Sequence, residues 1–170
     1  TDFFCKTQFL VSKIKDGHTW VDNSILITGL QKRISFPFSI YKIGSFYAIS
    51  KSGNPEYDSL IGSTITKINN KDINTIVKSA ISLMSIDGEN IPAINNSLQN
   101  FPFYFSLIDT ASSFRIHLIN KNNVSREINL SGVMYKSFVK RTRKIVEPIT
   151  QEFLSNNIAV LSVNTFNIGD

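Results

Sequence analysis

Residues 61–73 read IGSTITKINNKDI, and no other stretch indicates the fold as strongly. Two isoleucines flank polar residues, as in a half-buried strand. Asn69–Asn70 predicts a tight turn because asparagine tolerates a positive φ, and Asp72 or Asn74 is expected to cap a following helix. The helix would be amphipathic, since its apolar residues fall at positions 73, 76, 77, 80, 81 and 84. The stretch therefore predicts a strand, a turn and a core-facing helix.

Two further strands are predicted upstream of this unit. Residues 33–41 alternate between polar and apolar side chains, the period of two that is typical of a half-buried strand. Pro37 cannot donate a ladder hydrogen bond, so we expect this strand to lie at an edge of the sheet or to begin irregularly. Gly44 marks a turn into a second strand over residues 46–50, and residues 52–55 indicate a surface loop.

Downstream of the helix, the pattern predicts a helical insertion and a hairpin. Asn90 precedes Pro92 and Asn100 precedes Pro102, a combination typical of helix starts, so two short helices are expected between residues 87 and 109. The aromatic residues at 101–105 are expected to pack in the core. Residues 114–118 and 124–130 then predict two strands joined by a turn at 121–123.

The two ends of the chain have their own patterns. The first fifteen residues predict a helix that ends at Asp16–Gly17. Residues 136–144 are mostly basic and are interpreted as a connector. Residues 158–163 form a continuous apolar run that predicts a buried strand. We expect such a core strand to need further partners, which favours a protein that continues beyond residue 170.

Composition excludes several classes of protein. The 170 residues are 42% hydrophobic, which predicts a folded chain with a core. The net charge is +5, but no nucleic-acid-binding motif occurs among the basic residues, so no nucleic-acid partner is expected. The single cysteine, Cys5, excludes an internal disulfide, and with only His18 and His117 we expect no metal site and no cofactor. No apolar run approaches the length of a membrane span.

The order of these elements resembles a PDZ-like domain over residues 28–133. In that family the decisive element reads Gly-Asp-x-Ile-x-x-Ile-Asn-Gly-x-x-Ile. Ser63 replaces the usual Asp and Asn70 the usual Gly, and both changes are physically mild. The matching places are held by Gly62, Ile65, Ile68, Asn69 and Ile73. The resemblance implies an α+β fold: a partly open β-sandwich or barrel with one amphipathic helix.

The flanks narrow the resemblance further. Both flanks resemble the carboxyl-terminal processing (tail-specific) serine protease family. Residues 9–19 look like the helix end and the Asp-Gly-His-Thr turn of that family, and residues 158–166 look like the first strand of its catalytic domain. The resemblance implies an amino-terminal helix and turn at 1–27, a PDZ-like domain at 28–135 and a connector with the start of a catalytic domain at 136–170. The catalytic serine and lysine would lie beyond residue 170, and the family is usually exported to the periplasm or cell envelope.

The expected function is recognition of a peptide or unfolded protein, which gates proteolysis downstream. Such a peptide would add a strand along the edge near residues 36–40, against the helix. The expected peptide-binding residues are Phe36, Phe38, Ser39, Ile40, Ile76 and Ala80. In the alternative, the domain is structural or scaffolding and its groove is filled by its own insertion at 87–109. His18 invites a catalytic role, but at a helix end it is better explained by local hydrogen bonding.

Overall fold

The computed structural model describes residues 2–88, 90–143, 147–154 and 158–163. Helices and antiparallel strands are mixed along the chain, so the predicted α+β class is confirmed. In chain order the elements are α1 (Asp2–Ser12), α2 (Ser24–Leu30), β1 (Ile34–Ser35), β2 (Phe38–Ile43), β3 (Phe46–Ser52), a 3₁₀ helix (Pro55–Leu60), β4 (Thr64–Ile68), β5 (Lys71–Asp72), α3 (Ile73–Ile81), α4 (Ile91–Leu98), α5 (Phe101–Ile108), β6 (Ser113–Ile119), β7 (Ser125–Ser131), β8 (Val133–Met134), α6 (Tyr135–Thr142), β9 (Ile149–Leu154) and β10 (Ile158–Val163).

The main sheet is antiparallel and open. Its strand order is β2-β3-β4-β6-β7, with β5 paired to the end of β4. Within the described ranges the sheet does not close into a barrel, so β2 and β7 are its two edges. Two small ladders lie outside this path, one between β1 and β8 and the other between β9 and β10.

The strand, turn and helix predicted from residues 61–73 are all present. Asn69 and Asn70 both adopt positive φ, at 49° and 66°, as the tight turn requires. The Asp72 carboxylate accepts a hydrogen bond from the backbone N–H of Asn74 at 2.8 Å and so caps α3. The apolar face of α3 is buried against the sheet and α5. Local chemistry and burial therefore agree in this unit, which gives it a well-defined position.

Pro37 divides the strand predicted over residues 33–41. The chain pairs with β8 before the proline and with β3 after it, and the Pro37 carbonyl accepts a hydrogen bond from Gly53 N–H at 2.8 Å. The strand after the break lies at a sheet edge, as predicted. Phe36 and Pro37 lie between β1 and β2, which belong to different ladders, and the Phe36 side chain is buried in the core with no exposed surface.

An aromatic cluster surrounds Phe36. Its ring centroid lies between 5.2 and 5.6 Å from four other phenylalanine rings, most of them edge-on, a favourable arrangement for aromatic pairs. These partners are Phe38, Phe101, Phe105 and Phe114. They come from β2, α5 and β6, so one side chain joins the edge strand, the insertion and the hairpin.

The two helices predicted between residues 87 and 109 are present, but they begin differently. Asn90 caps α4 by accepting a hydrogen bond from Ala93 N–H at 3.2 Å. Asn100 does not cap α5; instead its Oδ1 accepts a hydrogen bond from the Tyr135 hydroxyl at 2.9 Å. The α5 aromatic residues are largely buried, which confirms their predicted core role.

The interpretation of residues 136–144 as a connector is wrong for the part that is described; Lys144 lies outside it. The chain forms α6 there, and Tyr135 and Phe138 are buried on its inner face. Arg141 holds the helix in place by donating to the Ser52 carbonyl at 3.1 Å and to the Asp58 carboxylate at 2.5 Å. The many basic residues on the outer face obscured the two apolar positions in the sequence. The short helix α2 was also not predicted.

The strand predicted at residues 158–163 is confirmed, but its predicted burial is wrong. Every residue of β10 is exposed, and its partner is the equally exposed β9. An apolar run favours an extended backbone, but burial needs a second layer, and none covers this hairpin within the described residues. The domain limits at 27/28 and 135/136 stay predictions.

Replacing Phe36 by alanine is expected to lower the free energy of unfolding by about 3–5 kcal/mol, because it leaves a cavity at the centre of the aromatic cluster. Phe46→Ala is the matched control, since this phenylalanine is 61% exposed, and should change stability by less than about 1 kcal/mol. Urea denaturation of both variants measures the difference, and equal losses would contradict the central position of Phe36.

Candidate peptide-binding groove

The structure brings the six predicted peptide-binding residues together in the core. All six side chains are between 0% and 3% exposed. Ser39 is on β2 beside the aromatic pair Phe36 and Phe38, while Ile76 and Ala80 belong to the inner face of α3. In this arrangement none of these residues has a surface that a peptide could contact. A peptide-binding role for them stays a prediction that requires other elements to move.

The space between β2 and α3 is filled by the insertion. Helix α5 packs against both of these elements, and α4 lies along β2. Phe101 and Phe105 of α5 and Leu98 of α4 belong to the same core cluster as Ile76 and Ile40. Strand β2 and helix α3 therefore line one apolar compartment, and side chains of α4 and α5 fill the space between them.

The outer edge of β2 is hydrogen-bonded by a side chain of α4. Asn95 Oδ1 accepts from the Lys42 backbone N–H at 2.7 Å, and Asn95 Nδ2 donates to the Lys42 carbonyl at 3.2 Å. An antiparallel strand makes the same pair of bonds to the residue opposite it. The carboxamide of Asn95, which is only 5% exposed, thus takes the place of one peptide unit of an added strand.

The end of α4 makes a second attachment to β2. Ser39 donates its hydroxyl to the Gln99 carbonyl at 2.5 Å, which satisfies one of the carbonyls that a helix end leaves without a partner. The Gln99 amide in turn approaches the Ile40 carbonyl at 3.5 Å and Ser50 Oγ at 3.4 Å, two long and weak bonds. Polar contacts thus extend over residues 39–42 of the edge strand.

The sequence prediction missed Asn95 and Gln99. Both amides are four residues apart and so lie on one side of α4, next to the buried residues Ile94 and Leu98. A pair of amides beside an apolar stripe was the available signal, because a half-buried amide needs a hydrogen-bonding partner. The sequence alone could not show that the partner is a strand edge.

Burial changes the acidity of two tyrosines around α5. Desolvation raises the pKa of Tyr104, and it also raises the pKa of Tyr135. Both hydroxyls therefore stay neutral at pH values near 7. The Tyr135 bond to Asn100 joins α6 to the start of α5 and helps to hold the insertion in place.

A cluster of titratable side chains lies where the turn after α1 meets the loop after α3. Its members are Asp16, His18 and Asp87. Their potential ligand atoms lie within 4.8 Å of one another. Asp87 accepts from Gly17 N–H at 2.6 Å, and hydrogen bonds from the Thr19 hydroxyl and the His18 N–H lower the pKa of Asp16. These bonds explain the group as a junction between the first turn and the loop after α3.

Comparisons with protein-family models, with curated proteins and with solved structures find no match to this chain. Among the described residues, no helix combines the length and the apolar character needed to cross a membrane.

Asn95→Ala is expected to lower the free energy of unfolding by about 1–3 kcal/mol, because it leaves both polar groups of Lys42 without their partners. Asn96→Ala is the matched control: this neighbouring side chain is exposed and makes no hydrogen bond to any residue that the structure describes. Its effect should stay within about 0.5 kcal/mol. If urea denaturation gives the same value for both variants, the Asn95 contact does not stabilise the fold.

Proposed function

We propose that the chain is a PDZ-like domain whose strand-addition groove is occupied by its own helices α4 and α5, and that it serves as a structural or scaffolding unit. The observation that carries this proposal is the pair of hydrogen bonds between the Asn95 carboxamide and the Lys42 backbone. A domain that receives peptides by strand addition needs those backbone groups free.

The energetics of opening the groove also support an occupied state. A peptide that replaced α4 and α5 would expose buried side chains, among them Leu98, Phe101 and Phe105. Exposing each such side chain costs roughly 1.5–3 kcal/mol. The cost of exposing three such side chains already approaches the roughly 8 kcal/mol of free energy that a peptide of micromolar affinity gains on binding. The occupied groove is therefore expected to exclude ordinary peptide ligands.

An occupied edge also protects the protein. Free strand edges pair with other chains and promote aggregation, and proteins cover them with helices or loops. Helix α4 covers β2 in this way while α5 supplies core volume beneath it. A covered edge of this kind suits a structural or scaffolding unit.

The larger setting that we propose is that of a serine peptidase of the carboxyl-terminal processing family. Its support is the order of the residues in 9–19, 62–73 and 158–166, the last of which lie partly outside the described residues. Catalysis by a serine and a lysine farther along, and an exported location, are predictions of the same resemblance. Peptide recognition by the groove is the competing function.

A peptide titration separates the two functions. For the full chain with unstructured peptides that end in apolar residues, the occupied groove predicts no saturable binding up to about 1 mM by calorimetry. Saturable binding that shifts the NMR signals of Lys42 and its β2 neighbours would favour peptide recognition and overturn the proposal.

Amide hydrogen exchange tests the occupied state directly. The Lys42 N–H is expected to exchange slowly in the native protein, because it becomes accessible to solvent only when α4 moves away from β2. Asn95→Ala should accelerate this exchange by roughly 5- to 100-fold, since one bond to a partly buried group is lost, whereas Asn96→Ala should leave it unchanged. Fast exchange of Lys42 in the unmodified protein would count against an occupied edge.

A further inference from the structure

A cavity lies on the outer face of the sheet, away from the occupied groove. Its volume is about 370 Å³, close to the lower end of the roughly 300–1,000 Å³ found for small-ligand sites. It is lined by Asn69, Asn70, Ser113, Phe114, Arg115 and Asn129. The turn after β4 and the paired strands β6 and β7 therefore form its walls.

The strand register places three polar side chains of this cavity on one face. Arg115 is paired with Asn129, and Ser113 lies two residues before Arg115 on the same side of β6. The alternate residues Phe114 and Ile116 are buried in the core. Because successive side chains of a strand point to opposite faces, the polar group is directed outward by the same alternation that builds the core.

Most hydrogen-bonding groups in this cavity have no partner within the part of the chain that the structure describes. Among the described residues, the Arg115 guanidinium has no ion pair, and the side chains of Asn70, Ser113 and Asn129 make no hydrogen bond. Asn69 uses its Oδ1 to accept from Arg115 N–H at 3.0 Å, so its amide NH₂ is the group left over. The cavity therefore offers one guanidinium, which only donates, together with amide and hydroxyl groups that can donate or accept.

The charge of the cavity is a single positive one. None of its lining residues is acidic. The carboxylate on the neighbouring cross-strand pair, Glu127, is bound by His117 with Oε2 2.5 Å from Nε2. One guanidinium with surrounding neutral donors matches a planar monoanion, which it can hold through two parallel hydrogen bonds. A phosphate dianion would call for more positive charge.

We propose that this cavity binds a carboxylate group, with Arg115 as the charged partner and the asparagine amides and Ser113 as neutral donors. This site shares no residue with the occupied groove and lies at the turn after β4 and strands β6 and β7. The carboxylate could belong to a small organic acid or to the carboxyl terminus of a peptide, since both present the same two oxygens.

The test is an NMR titration of the full chain, labelled with ¹⁵N, with sodium acetate at constant ionic strength. We expect saturable shifts of the backbone signals of Asn70, Ser113, Arg115 and Asn129, with millimolar affinity as suits so small a ligand. Arg115→Gln should weaken binding at least about tenfold, because it removes the charge-assisted bonds. Shifts that do not saturate, or that persist in this variant, would overturn the site.

The matched control is Arg126→Gln. Arg126 is also exposed, has no ion pair among the described residues and lies on β7, but it points to the opposite face from Asn129. The Arg126→Gln substitution removes one positive charge, as Arg115→Gln does, and should leave acetate binding unchanged. An equal loss in both variants would reduce the effect to net charge and would contradict the proposal.

Two further ligands distinguish the source of the carboxylate. A short peptide with a free carboxyl terminus that binds at least tenfold more tightly than acetate, and an amidated form that does not bind, would identify a chain terminus. Equal affinity for acetate and the free peptide would identify a small acid. Inorganic phosphate that binds more tightly than acetate at the same signals would overturn the assignment to a carboxylate.

Discussion

The burial of Phe36 between two strand ladders is the packing constraint on which the arrangement of the molecule depends. Pro37 prevents the chain from continuing as one strand, so the preceding phenylalanine turns into the core and meets rings from β2, α5 and β6. A close-packed interior transmits position, because a ring in contact on several sides cannot shift alone. The aromatic cluster thereby fixes α5 beneath the sheet, and the short link from α4 to α5 then places α4 beside β2.

The two edges of the sheet are treated differently as a result. At β2, the side-chain amides of Asn95 and Gln99 bond backbone groups that another strand would use, and the Ser39 hydroxyl of β2 adds a bond to the end of α4. At β7, no strand pairs with the outer edge within the described residues, and the exposed residues there are polar or charged. Covering an edge and making it polar are both known ways to prevent unwanted pairing. The chemistry left available to a ligand consequently lies on the β6 and β7 side.

These observations change the functional expectation in one respect. The sheet and amphipathic helix suggested a groove that is open to an added strand, whereas the six residues expected to line that groove are between 0% and 3% exposed. The insertion supplies both the apolar filling and the polar attachment. This arrangement supports the proposed structural role more directly than it supports peptide recognition, and the polar cavity at Arg115 is a separate feature of the surface.

The sequence by itself determined the local elements. Asn69, Asn70 and Asp72 have conformational and capping preferences that act within a few residues, and the alternation around Phe114 determines which side chains face the core. Only the tertiary structure decided what fills the groove, that residues 136–142 form a packed helix, and that β10 is exposed. The Asn95 contact joins residues 53 positions apart. Such a contact depends on how separate elements pack, and periodicity within either segment carries no information about it.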